Sequence, residues 1–353
     1  MTTNVGIRGL GVFLPPEVRR NDWWTPEHVA RWMAERRAGA RPEPRTAGEA
    51  LVARAMAAQA RDPFLGTVER RVMPGDMSAL DMEERAARAA IARAGVDLRD
   101  IDLLLTNTLV PDHLLGNPAC KLHARLGLER ACFSMHSDVP GYAFMMQLSL
   151  AEAMIATGQA HCALLVQSCT PSRLLDLAGP LAPYFGDAAT AAVVGPVSPG
   201  RGIEASVHFT DGRHAQTLAA GVPGGRWYDE GRAVLHHVDD GQAQRVFLEA
   251  ADVCKQGVDA ALAKARRGHA DVDFFCIHQG TPWVRTVALE HLGLTSARSV
   301  ETFARTGYVF SSAQPIALAF AEEQGLIHEG DLVVITGAGS GLTYGAIILG
   351  WGM

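Results

Sequence analysis

Short, unbroken apolar runs, each separated from the next by a stretch with helical spacing, constrain this fold most. IDLLLTNTLV (101–110), HCALLVQSC (161–169) and DLVVITGAG (331–339) show little alternation of apolar and polar residues. That pattern belongs to strands covered on both faces. Between them lie helical stretches at 79–95, closed by Gly95, at 118–128, and at 142–157, closed by Gly158. After residue 200 the order returns. A strand region precedes a helix at 245–266, DFFCIHQG (273–280) is a strand, helices follow at 283–293 and 313–325, and TYGAIILGW (343–351) is the last strand. Buried strands alternating with helices define an α/β fold. The repeated order predicts two similar halves, residues 1–199 and 200–353. With 353 residues the chain is long for one core, which agrees with two units.

At the N-terminal end, residues 4–12 read as a strand and 26–62 as helical. RAGARPEPRTAG (37–48) interrupts that helix as a surface insertion.

Composition removes several classes of function. The net charge is −6, without the basic excess of a nucleic-acid binder. No apolar run approaches the roughly 20 residues that span a bilayer, and the first twenty residues do not read as a signal peptide, so a cytoplasmic protein is expected. The cysteines 120, 132, 162, 169, 254 and 276 form no CxxC pair and no zinc spacing. They are expected as free thiols, mostly in the core, with no metal site.

Four segments are candidates for chemistry. FGDAATAAVV (185–194) is a Gly-Asp turn entering a strand of small residues. CIHQGTPW (276–283) puts His278 at the end of an apolar strand, where α/β folds bind ligands, although a structural role also fits. ITGAGSGLTYGA (335–346) is a glycine-rich turn between strands. No helix follows it, so it is no phosphate loop, but its amides suit an oxyanion pocket. HSDVPGYAF (136–144) is a strand-to-helix elbow, a place where a helix dipole activates a nucleophile. His136 and Ser137 at this elbow are candidates for a second base or a nucleophile.

With these segments in order, the chain resembles the ketoacyl-acyl-carrier-protein synthase III group of the thiolase superfamily. The resemblance rests on NPACKLHARLGL, ALLVQSC, YFGDAATAAVV, HQGTPWVRTVALEHLGL and GAGSGLTYGAIILG, and runs from Val5 to Trp351 except around 36–60. It implies a five-layered αβαβα fold of two similar halves, a homodimer, and acyl thioesters of coenzyme A or acyl carrier protein as substrates, with no further cofactor. It also implies a Cys nucleophile at the elbow, a His after a strand and an Asn in a glycine-bearing loop. His278 matches. Counting within RTGYVFSSAQP puts Tyr308 at the Asn position, and counting back from Gly158 puts Gly141 at the nucleophile position; a second register gives Val139. The oxyanion amide is expected near Ser340 or Gly341.

Without a thiolate the usual two-step condensation fails. The expectation is therefore an acyltransferase or condensing enzyme of specialised (natural product) metabolism. His278 would be its general base and Tyr308 a replacement hydrogen-bond donor. The alternative is a catalytically silent subunit that forms a heterodimer with an active homologue. Trp23, Trp24, Met145 and Met146 read as packing residues before ligand contacts, and Arg285 and Arg305 as candidates to meet phosphates.

Overall fold

The computed structural model describes residues 4–38, 43–215 and 217–352. In chain order the elements are β1 (Val5–Phe13), β2 (Glu17–Arg20), α1 (Pro26–Ala38), α2 (Ala47–Gln59), β3 (Glu69–Val72), α3 (Ala79–Ala94), β4 (Leu103–Leu109), α4 (Pro118–Leu126), β5 (Phe133–His136), α5 (Ala143–Ala156), β6 (Ala163–Cys169) and β7 (Ala188–Pro196). The second half continues with β8 (Gly202–Thr210), β9 (Leu218–Gly221), β10 (Val234–His237), α6 (Asp240–Ala265), β11 (Phe274–Ile277), α7 (Val284–Leu292), α8 (Phe303–Thr306), α9 (Ala313–Glu323), β12 (Leu332–Gly339) and β13 (Thr343–Gly350).

Two sheets organise the molecule. The first has the order β1-β7-β6-β4-β5, and the second β11-β12-β13-β8. In the first, β4 pairs parallel with both β5 and β6, and β6 is buried along its whole length. Both faces are covered, which is why these strands read as continuous apolar runs. Helices α5 and α9 lie between the sheets, α3 packs outside the first, and α6 and α7 pack outside the second. The result is a five-layered αβαβα fold, and one apolar core joins Leu105, Leu148, Ala192, Leu318, Ile335 and Ile347 across its middle.

Local chemistry sets the helix ends. Ser78 and Asp81 form a reciprocal capping box on α3, and Gly95 closes it at φ +62°, a backbone region that costs an L side chain more than glycine. Helix α6 starts five residues before the expected 245, where the Asp239 carboxylate accepts from the Gln242 amide. The polar run 240–244 hid that first turn.

The N-terminal segment departs furthest from expectation. The helical reading of 26–62 splits into α1 and α2. Part of the expected insertion, residues 39–42, lies outside the described residues. The rest is not a loose surface excursion, because α2 docks on α6 and α7 through Val52, Leu248, Ala251, Trp283 and Val287. A buried Glu49–Arg245 ion pair fastens it.

Candidate active site

His278 follows β11 directly. Its amide donates to the Thr336 carbonyl at 2.9 Å, carrying the pairing with β12 one residue further. Gln279 fixes the chain beyond it, donating to the Val300 carbonyl at 2.8 Å and accepting from the Thr302 amide at 3.0 Å. Gly337 lets β12 approach, since a β-carbon there would come within 2.6 Å of the His278 β-carbon.

Tyr308 arrives from the turn after α8. The turn is locked to the Gly-Asp segment, with the Tyr308 amide donating to the Tyr184 carbonyl at 2.8 Å and the Gly186 amide donating to the Tyr308 carbonyl at 3.2 Å. The Tyr308 ring stacks on Phe310 at 4.4 Å between centroids and meets the His278 ring edge-on at 5.3 Å.

The hydroxyl of Tyr308 lies 3.2 Å from His278 Nε2, and Nδ1 of the same ring lies 3.5 Å from Gln314 Oε1. An amide oxygen only accepts, so Nδ1 carries the proton and Nε2 accepts from Tyr308. Burial pushes the imidazole down to about 4, against the upward pull of the Gln314 bond. Burial also pushes the Tyr308 phenol up. Both groups are therefore neutral at pH 7, with the Nε2 lone pair turned to the Tyr308 O–H.

Gly141 stands just before α5, at φ +84°, and its amide donates to Ser311 Oγ at 2.9 Å. A β-carbon here would lie 3.3 Å from the Tyr308 hydroxyl, 3.2 Å from Gly339 Cα and 3.3 Å from the Ala338 carbonyl oxygen. Gly141 thus abuts the hydroxyl of Tyr308 and the end of β12.

The His278–Tyr308 pair borders a cavity of about 280 Å³. Its walls are mostly apolar and include Leu181, Val246, Phe247, Trp283 and Leu342, and among the described residues no Lys, Arg, Asp or Glu lines it. Such a space suits an acyl chain or another uncharged segment. Cys254 also lines it, but its Sγ faces Thr336 Oγ1 at 3.9 Å, and burial pushes the thiol up to about 12. Among the described residues it makes no hydrogen bond to His278.

Other expected residues fall elsewhere. His136 Nδ1 meets Thr106 Oγ1 at 3.0 Å, and Ser137 Oγ donates to the Thr106 carbonyl at 3.3 Å and accepts from Gln147. Neither lines the cavity, and both make polar contacts with Thr106 of β4. The expectation that one of them serves as nucleophile or second base gains no support from the lining of this cavity. Val139 packs against the central core, whereas Gly141 abuts the Tyr308 hydroxyl. Ser340 does line the cavity, but its amide already donates to the Pro140 carbonyl at 3.0 Å, so that amide is not a free oxyanion donor. Gly341 is not among the lining residues. Trp24 is buried beside Trp32 and Phe64, Met145 is buried in the core, Arg285 bonds Ser299, and Arg305 covers Phe320; none of these lines the cavity.

Gln314 and the α6 wall were not read from the sequence. Gln314 precedes Pro315 and looks like an ordinary polar residue at a helix start. The α6 wall is visible only once Val246 and Phe247 are known to line the cavity.

The five-layered fold, with an imidazole at a strand end over an apolar cleft, is that of the thiolase-fold proteins. A family model described as 3-oxoacyl-[acyl-carrier-protein] synthase III matches residues 141–212, and the model of its C-terminal part matches residues 262–351. The β-ketoacyl-[acyl-carrier-protein] synthase III of Geobacillus kaustophilus is 34% identical over 289 residues, covering 81% of this chain and 88% of the relative. That of Symbiobacterium thermophilum is 34% identical over 292 residues with the same coverage. The crystal structure of the Pseudomonas aeruginosa 3-oxoacyl-(acyl carrier protein) synthase III superposes with a TM-score of 0.79 at 26% identity, covering 99% of each chain. Xanthomonas campestris OleA, as a cysteine-to-serine variant with lauric acid and lauroyl-CoA bound, shares the fold at a TM-score of 0.80 and 20% identity, covering 99% of this chain and 100% of that one. The chain belongs to the 3-oxoacyl-acyl-carrier-protein synthase III family of acyl-transferring condensing enzymes.

Proposed function

We propose that this protein transfers an acyl group from a coenzyme A or acyl-carrier-protein thioester without a cysteine nucleophile, in specialised rather than primary fatty-acid metabolism. One observation carries the reading. Gly141, which has no side chain to attack a thioester, abuts the Tyr308 hydroxyl, and that hydroxyl lies 3.2 Å from Nε2 of a neutral His278 beside an apolar cavity.

The thioester carbonyl lies near Nε2 when the acyl chain occupies the apolar walls. The attacking group gives its proton to Nε2 as its bond to the carbonyl carbon forms. The C–S bond then breaks, and the thiolate takes the proton back from the imidazolium. General-base help of this kind contributes about 10²–10⁴-fold. Holding donor and acceptor together supplies much of the rest. The halves 1–199 and 200–353 both border the cleft, the first through Leu181, Tyr184 and Phe185 and the second through Ile277, His278 and Gly337, and we place the enzyme in the cytoplasm as a homodimer.

The test is thiol release by the purified chain from acetyl-, hexanoyl- and lauroyl-coenzyme A and the matching acyl carrier proteins, with amine, alcohol and β-keto acid acceptors. Release that vanishes in His278→Ala supports the reading. Release only after co-expression with an active homologue would replace it with the silent-subunit alternative.

A further inference from the structure

We propose that Tyr308 is the acyl acceptor of this site, its hydroxyl taking the group from the thioester and carrying it as a phenyl ester to the second substrate. The inference deepens the thioester reading above and rests on it.

Three features of the geometry point there. First, Tyr308 Oη occupies the room of the missing side chain. The three groups that a β-carbon on Gly141 would meet belong to Tyr308, Gly339 and Ala338, and all three residues line the cavity while Gly141 does not. The oxygen at the cavity's reactive end is therefore the phenol's. Second, that oxygen already bonds a base, with Oη 3.2 Å from His278 Nε2. A nucleophile and base in contact, with the base oriented by a third group, is the arrangement of covalent acyl transfer. Third, Gln314 supplies the orienting group and does so at a cost. It is fully buried, and its Nε2 has no partner among the described residues, while its Oε1 faces His278 Nδ1. A buried amide left half-satisfied calls for an explanation that an apolar residue at this place would not need. Holding the proton on Nδ1, so that Nε2 stays basic toward Tyr308, provides it.

The step balances without any co-reactant. The Tyr308 O–H proton passes to His278 Nε2 as the C–O bond forms. The C–S bond breaks, and the leaving thiolate takes the proton from the imidazolium. In the second half the acceptor's proton passes to Nε2, the acceptor takes the acyl carbon, and the phenol oxygen recovers the proton. Burial holds phenol and imidazole neutral, so the proton moves together with C–O bond formation and no free phenolate forms. Thr281, buried on the cavity wall with no partner for its Oγ1 among the described residues, offers a hydroxyl to the carbonyl oxygen.

The experiment uses the full chain with p-nitrophenyl hexanoate and, separately, hexanoyl-coenzyme A, followed by intact-mass analysis and peptide mapping. One hexanoyl group on the Tyr308 peptide is expected, absent in Tyr308→Phe and formed about 10²-fold more slowly in His278→Ala. Gln314→Leu slows its formation, and ¹⁵N-histidine spectra of that variant lose the Nδ1–H form of His278. An adduct on Cys254 or any residue other than Tyr308 overturns the proposal, and so does thiol release from hexanoyl-coenzyme A that is equal in wild type and Tyr308→Phe. A Tyr308 adduct from the ester with no thiol release across the acyl-coenzyme A series keeps the acceptor role and discards the thioester reading. No adduct from either compound discards the acceptor role.

Discussion

The Tyr308 hydroxyl sits 3.3 Å from the point where a β-carbon on Gly141 would be. The two residues are coupled by volume, since a phenol has moved into space that a side chain at 141 would need. Placing a cysteine at 141 alone should therefore fail. The residue would adopt φ +84°, where an L side chain costs about 1–2 kcal/mol, and its β-carbon would press on Gly339 and Tyr308. Gly141→Cys is expected to lower the urea midpoint and to show no hexanoyl adduct at residue 141. Adding Tyr308→Asn removes one of the tight contacts and should recover part of the loss. A single variant as stable as wild type, with an acylated thiol, would refute the coupling.

His278 makes a distinct prediction about acid. Its folded value, about 4, lies below the 6.5 of an exposed imidazole. Between these values the unfolded chain binds the extra proton, so stability is complete above about pH 6.5 and is lost as the pH falls toward 4. The acid limb of the rate should likewise fall near pH 4, not near 6.5, provided the fold persists. His278→Gln should flatten the stability change over this range. A rate profile with an acid limb at 6.5 would mean that the imidazole is solvated in the working enzyme.

The docked segment α2 lends itself to a packing test. Val52 is fully buried against Leu248, Ala251, Val287 and Trp283, and Trp283 is also a wall of the cavity. Removing two methyl groups in Val52→Ala should cost about 2 kcal/mol, read from urea unfolding. The Trp283 environment should loosen with it, seen as a red shift in tryptophan emission. An unchanged urea midpoint would show that α2 contributes nothing to that wall.

Much of this architecture is legible in the amino-acid sequence, because strands β4, β6 and β12 are buried on both faces and so carry a nearly continuous apolar signal. Gly95 and Gly293 mark helix ends for the same physical reason, a left-handed cap at φ +62° and +67°. The β9–β10 hairpin is not legible. LAAG and VLHH are too short and too mixed for a period-two pattern, and each leans on its partner strand. In the candidate site, His278 shows itself by ending an apolar strand, and Gly141 and Tyr308 emerge only by counting from neighbouring glycines and Pro315. The elbow misleads at His136 and Ser137, since a four-residue strand does not reveal which face its side chains take. Gln314 carries no sequence signal, because its significance is a distance across the fold.

Glu83 offers the clearest electrostatic test away from the cavity. It is completely buried between α3 and the first sheet, where the Thr108 and Ser168 hydroxyls both donate to its Oε1 at 2.6 Å. Desolvation raises it to about 7; those two bonds pull the other way, Asp112 adds to the rise and Lys121 opposes it. The sign is opposite to that for His278. The folded chain holds the proton that the unfolded chain releases, so this contribution is complete below about pH 4.5 and is lost as the pH rises through 7. The full span corresponds to roughly 3 kcal/mol at one pH unit per 1.36 kcal/mol. Glu83→Gln keeps an oxygen for both hydroxyls and has no proton to lose. Because the His278 contribution is common to both proteins, the urea midpoint of the variant should rise relative to that of the wild type between pH 5 and 8, and the variant should be the more stable at pH 8. Parallel profiles in the two proteins would mean that the Glu83 carboxyl ionises as freely in the folded chain as in the unfolded one.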